Sequence, residues 1–279
     1  MKYLSMIGRS NLLRLATGVA AALSACPAVA QSPQDGGGLR TADVLAVQAY
    51  VVGGALMPFS TSSSVTGSDA LAGVSTQLGG SSATTPFLGA RVLVPFLWYM
   101  HDDQHLGFSA FFETGLQSGF GAQSRLQTFQ NTSPTAGDFG SSAIREYYQV
   151  PVLLGLTVPI AHGPKAPSAL LDFYGGLTLD SWSQVLQGSE ANAPGTPGFY
   201  AENRHVTFDP TVGVGLRLPV GSLEDGLPIF VGANAELQFR PGNTVTAYSP
   251  NFTVTYSSAV NPYANLALMA RVGIAFGSR

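Results

Sequence analysis

The residues best equipped for chemistry are few. His101-Asp102-Asp103-Gln104-His105 sets two imidazoles and two carboxylates within five positions, donors that could chelate a divalent metal. Two histidines four apart would meet on one face of a helix, but the segment reads as a tight turn, where polar residues are the default. A solvated turn is expected there, with no metal and no cofactor. Hydrolysis needs a nucleophile, a base and a group that orients the base. The other histidines are His162 and His205, and His205 is followed by Val206-Thr207, so no His-x-Ser pair forms. No catalytic residue is assigned, and the chain is expected not to be an enzyme.

A second set of charges has a clearer pattern. Arg91, Glu113, Arg145, Asp172, Asp180, Asp209, Arg217, Glu236 and Arg271 all lie inside segments of alternating polarity, each opposite the apolar side. Folding the segments about their short connections makes paired positions sum to about 205 in one case and about 328 in another, which sets Arg91 opposite Glu113 and brings Arg145 near Asp180. Both signs are therefore interleaved in one narrow space. The chemistry expected of them is mutual neutralisation in a filled interior, the alternative being a gated ion path in which an arginine exchanges carboxylate partners. Glu146 falls on the apolar side and is expected at a strand end.

The elements that must hold these charges are long strands. In Arg145 to Ile160, Tyr148, Val150, Val152, Leu154, Leu156 and Val158 form one wholly apolar face and the residues between them a smaller, mixed one. This is strand periodicity at about 16 residues, against a usual strand of about 5 to 6. Similar segments run over 44–59, 85–99, 106–120, 143–159, 169–182, 204–219, 227–240 and 260–276. The seven connections between these eight hold about 25, 6, 22, 9, 21, 7 and 19 residues, a long and short alternation that boundary errors of about 2 to 4 residues do not erase. Up-and-down barrels of outer membranes have long outer loops and short periplasmic turns. Trp98, Tyr99, Tyr148, Trp182, Tyr263 and Phe276 lie near segment ends, where interface girdles belong. Pro95, Pro151 and Pro210 fall inside the segments and are expected to interrupt pairing.

Tyr148-Gln149-Val150-Pro151-Val152-Leu153-Leu154-Gly155-Leu156 resembles the Y-L-E-I-P-L-L-L-K-Y strand of the small OmpA-type and porin-family barrels of the bacterial outer membrane, with Gly155 in place of the usual Lys. The last segment, Asn265 to Phe276, is similar to the terminal assembly signal of those barrels, with Gly277-Ser278-Arg279 following the aromatic. The resemblance implies an all-β, eight-stranded antiparallel up-and-down transmembrane barrel over 44–276, with both termini on the periplasmic side. It also implies outer-membrane lipid and the barrel-assembly machinery as partners, the latter through the C-terminal strand. Some such barrels are enzymes acting on lipid, usually with a His and a Ser at the wall; the histidines here do not supply that pair.

Composition agrees. Charged residues make up 10% of the 279, against an average near 25%, and no uninterrupted apolar run after the leader approaches the roughly 20 residues of a membrane helix. Lys2, Arg9 and Arg14, then Leu15 to Ala25, then Ala28-Val29-Ala30 read as a secretory signal over 1–30, followed by a flexible lead-in over 31–43. Leu23-Ser24-Ala25-Cys26 leaves a lipidated Cys26 as the competing reading. On the first, the one cysteine leaves with the leader. Three of the 13 basic residues and none of the 16 acidic ones lie there, so the remainder carries 10 against 16. Nucleic acid is not an expected partner.

The expectation is a Gram-negative outer-membrane barrel with a structural or surface-interactive role through four long loops and an unidentified surface ligand. A small-solute channel is the other reading; it requires ten or more strands, with Gly73 to Gly79 the segment best able to supply a hidden hairpin. A soluble periplasmic β-protein would leave the apolar faces unexplained.

Overall fold

The computed structural model of the chain describes residues 46–59, 63–69, 75–78, 84–100, 107–131, 138–160, 169–190, 198–223, 227–248 and 254–276. Among them are thirteen strands: β1 (Val47–Phe59), β2 (Ser63–Asp69), β3 (Ser75–Leu78), β4 (Thr85–Met100), β5 (Gly107–Ser118), β6 (Gln123–Asn131), β7 (Asp138–Pro159), β8 (Leu170–Glu190), β9 (Phe199–Ser222), β10 (Pro228–Arg240), β11 (Asn243–Tyr248), β12 (Val254–Val260) and β13 (Tyr263–Phe276). The leader, the lead-in, Cys26 and the turns holding His101, His105 and His162 lie outside the described residues.

Eight of these strands close a circuit in the order β1, β4, β5, β7, β8, β9, β10, β13, and β13 returns to β1; every pairing is antiparallel. They are the eight segments expected from the alternation. Closure satisfies the backbone without leaving a sheet edge, which an apolar surroundings demands. Side chains then alternate across the wall. On β7, Val152, Leu154 and Leu156 are 48%, 60% and 45% exposed, while Leu153 between them is fully buried. An apolar exterior around a polar interior is the inverse of a water-soluble barrel.

The prolines mark where the ladders change. The β4–β5 register shifts at Pro95, and the β5–β7 ladder breaks between Thr114 with Val152 and Gln117 with Gln149, the stretch that contains Pro151. The β9–β10 ladder ends at Thr211, the residue after Pro210, because a proline has no N–H to continue it.

Beyond the barrel the structure departs from the expectation of irregular loops. Parts of 60–84, 121–142, 183–203 and 241–259, read from their Ser, Thr, Gly and Asn content as connections, are strand. β7, β8 and β9 run 22, 21 and 24 residues, about twice the 9 to 11 that cross a bilayer. Their upper halves continue as a sheet extended by β6 and β3. Ser75–Leu78 does form a strand, but it pairs with β6 and does not join the barrel. The chain turns from β5 into β6 at Phe120 (φ 53°) and Gly121 (φ 72°), where the second left-handed residue needs no Cβ and the Gly121 N–H donates to Glu146 O at 2.8 Å.

β11, β12 and β2 form a separate three-stranded sheet. Val65, Val245, Ala247 and Tyr256 on this sheet pack with Phe129, Leu186 and Phe199 of the extended one in a single buried cluster. Phe199 stacks on Tyr256 with centroids 4.7 Å apart. The region above the barrel is thus two sheets around their own apolar core.

Candidate functional site

The inward face of the barrel carries many fully buried side chains, and its charged residues fall into three groups. In the first, Arg217 grips Asp172 with Nε to Oδ2 at 2.8 Å and Nη2 to Oδ1 at 2.6 Å. Arg271 Nη2 donates to the same carboxylate at 2.6 Å, and Thr157 adds a hydroxyl at 2.7 Å. In the second, Arg91 Nη1 donates to Glu113 at 2.7 Å and to Glu236 at 2.5 Å, and Tyr174 donates to Glu236 at 3.0 Å. In the third, a single guanidinium serves three carboxylates. Arg240 donates from Nη1 and Nη2 to Glu146 at 2.5 and 3.2 Å, from Nη2 to Asp180, and from Nε to Asp209 at 3.2 Å.

The ten charged residues of these groups are all at most 4% exposed. An apolar cluster that includes Tyr50, Leu93, Phe111 and Leu153 shares Tyr174 with the second group, and in a polar layer Gln149 bonds Gln238 at 3.0 Å and Thr178 bonds Thr211 at 2.8 Å. The interior therefore holds an apolar cluster beside the ion pairs that were expected. Glycines make the room. A Cβ on Gly155 would meet Phe111 Cζ at 2.4 Å, and one on Gly213 would meet Tyr174 Cε2 at 2.5 Å. Gly155, the departure from the resembled strand, thus sits where a larger side chain would strike the packed rings.

Eight of the nine interior charges expected from the sequence lie in these groups: Arg91, Glu113, Asp172, Asp180, Asp209, Arg217, Glu236 and Arg271. Arg91 is opposite Gly115 in the ladder and reaches Glu113 diagonally. Arg145 is a correction. It does not approach Asp180; it lies on the outer side and pairs with Glu202 at 3.2 Å. The cause is a bulge at Tyr147, between the pairs Glu146 with Trp182 and Tyr148 with Ser181, which exchanges the two faces of β7 above that point. The same bulge turns Glu146 inward, where a position on the lipid side was expected. Arg240, at the last position of β10, was missed although it shares parity with Glu236.

Two of the six girdle aromatics are corrected as well. Tyr99, Tyr148 and Phe276 are exposed on the wall, and the side chain of Trp98 lies outside the described residues. Trp182 and Tyr263 are 1% and 5% exposed and face inward. Trp182 Nε1 donates to Thr207 at 3.1 Å, its ring lies 5.0 Å from the Arg240 guanidinium and 4.9 Å from His205, and Arg240 donates to Tyr263 Oη at 3.0 Å. Their parity put them there: Trp182 shares a face with Asp180, and Tyr263 with Asn265 and Arg271.

Above the apolar band, on the outer wall, Glu202 gathers donors from Ser183 at 2.6 Å, Tyr147, Tyr200 and Arg145. Burial raises its pKa, but the three hydroxyl bonds and the arginine outweigh burial and hold the carboxyl down at about 2, from 4.5. With the folded value below the unfolded one, its contribution to stability is complete above about pH 4.5 and is lost as pH falls toward 2. Carbon-detected NMR of the Glu202 carboxyl in detergent should show a midpoint near 2. A midpoint at 4.5 would mean the cluster does not form.

No family model and no curated protein matches the chain. Solved structures do align with it. The transport unit of the autotransporter AIDA-I from Escherichia coli covers 94% of this chain and 97% of its own at 7% identity, with a TM-score of 0.33. Ail, the attachment invasion locus protein of Yersinia pestis, covers 80% and 97% at 11% identity and 0.25. The translocator domain of the autotransporter NalP from Neisseria meningitidis covers 95% and 98% at 14% identity and 0.28. These superpositions are loose, and the architecture rests on the closed circuit itself: an all-β chain folded as an eight-stranded antiparallel barrel of the outer-membrane type.

Proposed function

We propose that this chain is an integral protein of the bacterial outer membrane, delivered by a cleaved leader and assembled through β13, with a structural or surface-contact role and no catalytic step. The observation that carries the reading is the inversion of the wall: apolar side chains outside on every barrel strand, and four arginines with six carboxylates buried inside. The packed interior supports a non-conducting barrel in place of a solute channel. The two-sheet region with its own apolar core supports a rigid contact surface outside the cell. Among the four histidines, His205 is packed against Trp182, which supports a structural part for it.

Topology in the cell tests this. Thr246→Cys on β11 should react with a membrane-impermeant maleimide in intact cells, while Leu223→Cys beside the β9–β10 connection should react only after the outer membrane is opened. Both positions are exposed. Labelling of Leu223→Cys alone in intact cells, or of neither in the membrane fraction, would overturn the orientation or the location.

A further inference from the structure

We infer that the outer wall immediately above the apolar band binds the phosphate-bearing headgroup of an anionic lipid of the outer leaflet. The inference rests on the membrane reading above. Two ladder rows carry it. One runs Arg125, Ala143, Val185, Glu202 and the next Gln123, Arg145, Ser183, Arg204, across β6, β7, β8 and β9. Directly paired residues share a face, so three guanidiniums lie on one outward face of four adjacent strands. The small residues between them, Ala143, Ser183 and Val185, are at most 3% exposed beneath the long side chains.

Charge balance favours an anion. Glu202 is the one carboxylate in the two rows and is already bonded to four donors. Arg204 lies over the Tyr147 ring at 4.2 Å, and neither it nor Arg125 has a carboxylate partner among the described residues. The rows carry three positive charges against one negative. Arginine forks suit phosphate oxygens, bonding them in pairs. Location selects a lipid over a free anion. Immediately below, Tyr148 and Val206 are 38% and 58% exposed as part of the apolar wall, which places the patch at headgroup level. Immediately above is a shallow depression with Arg125, Thr128, Gln187, Gly188, Gly198 and Tyr200 in its lining.

The test uses the folded full-length mature protein in phosphatidylcholine vesicles with or without a bisphosphorylated lipid A, then native mass spectrometry after gentle extraction. Lipid A should be retained roughly tenfold over phosphatidylcholine, and Arg125→Gln with Arg204→Gln should remove that preference. Both arginines are exposed, so the double variant should keep the compact unheated form on gels. A second arm offers dephosphorylated lipid A and inorganic phosphate separately. Equal retention of phosphorylated and dephosphorylated lipid, equal retention by the variant, or capture of inorganic phosphate without lipid would each overturn the inference while leaving the barrel in its membrane. Failure of the wild type to insert into either vesicle would overturn the membrane reading and this inference with it.

Discussion

Arg240→Met should prevent the barrel from reaching its folded form at neutral pH. The three carboxylates it serves, Glu146, Asp180 and Asp209, are 4%, 0% and 0% exposed, and no other arginine or lysine pairs with them among the described residues. Asp180 Oδ1 and Asp209 Oδ1 already lack a hydrogen-bond partner there. Removing one partner of a buried ion pair costs roughly 3 to 5 kcal/mol, because the survivor keeps its desolvation without its compensation. Here three survivors are left at once. The compact unheated band after refolding in detergent measures the effect. Arg240→Met with Glu146→Gln, Asp180→Asn and Asp209→Asn should recover much of the folded fraction, which separates buried charge from lost volume. Arg240→Lys should fall between, since an ammonium supplies the charge without the fork that reaches three acceptors. Wild-type refolding of Arg240→Met would show that the third group does not hold the upper barrel.

Gly213→Val should damage the interior strongly through size alone. Its Cβ would sit 2.5 Å from Tyr174 Cε2 and 2.9 Å from Glu236 Cγ. Neither can yield: Tyr174 is bonded to Glu236, and Glu236 to Arg91. Overpacking of this kind costs roughly 1 to 3 kcal/mol and more where a polar network breaks with it. Gly155→Ala, facing Phe111 and Tyr174, should cost less but measurably. Gly175→Ala is the control, since its Cβ would find nothing nearer than Thr211 O at 3.4 Å. The readout is the urea midpoint in detergent. Equal midpoints for Gly213→Val and Gly175→Ala would mean that the interior is loose.

Much of this arrangement is legible in the sequence because a wall with two solvents obeys a period of two. The eight barrel strands and eight of the interior charges follow from parity alone. The failures have local causes. Trp182 and Tyr263 face inward because parity, fixed by the backbone, outranks the preference of aromatic residues for an interface. At Arg145 and Glu146 the bulge at Tyr147 reverses parity, and nothing in Arg145 to Gln149 marks an extra residue. The Ser, Thr and Asn content of the strands beyond the barrel suggests loops, yet Asn243–Tyr248 alternates with Val245 and Ala247 buried. Such short strands announce themselves only through the partner sheet that covers them, and that partner comes from distant parts of the chain.

The central claim is that the lumen is closed by its own side chains. Planar-bilayer recording of the refolded mature protein, beside an Arg91→Ala variant and an empty bilayer, tests it most directly. Inserted wild-type protein should give no resolved conductance above the empty bilayer. A steady open state from correctly inserted wild type, altered in Arg91→Ala, would contradict the closed lumen and make the Arg91, Glu113 and Glu236 group part of a permeation path.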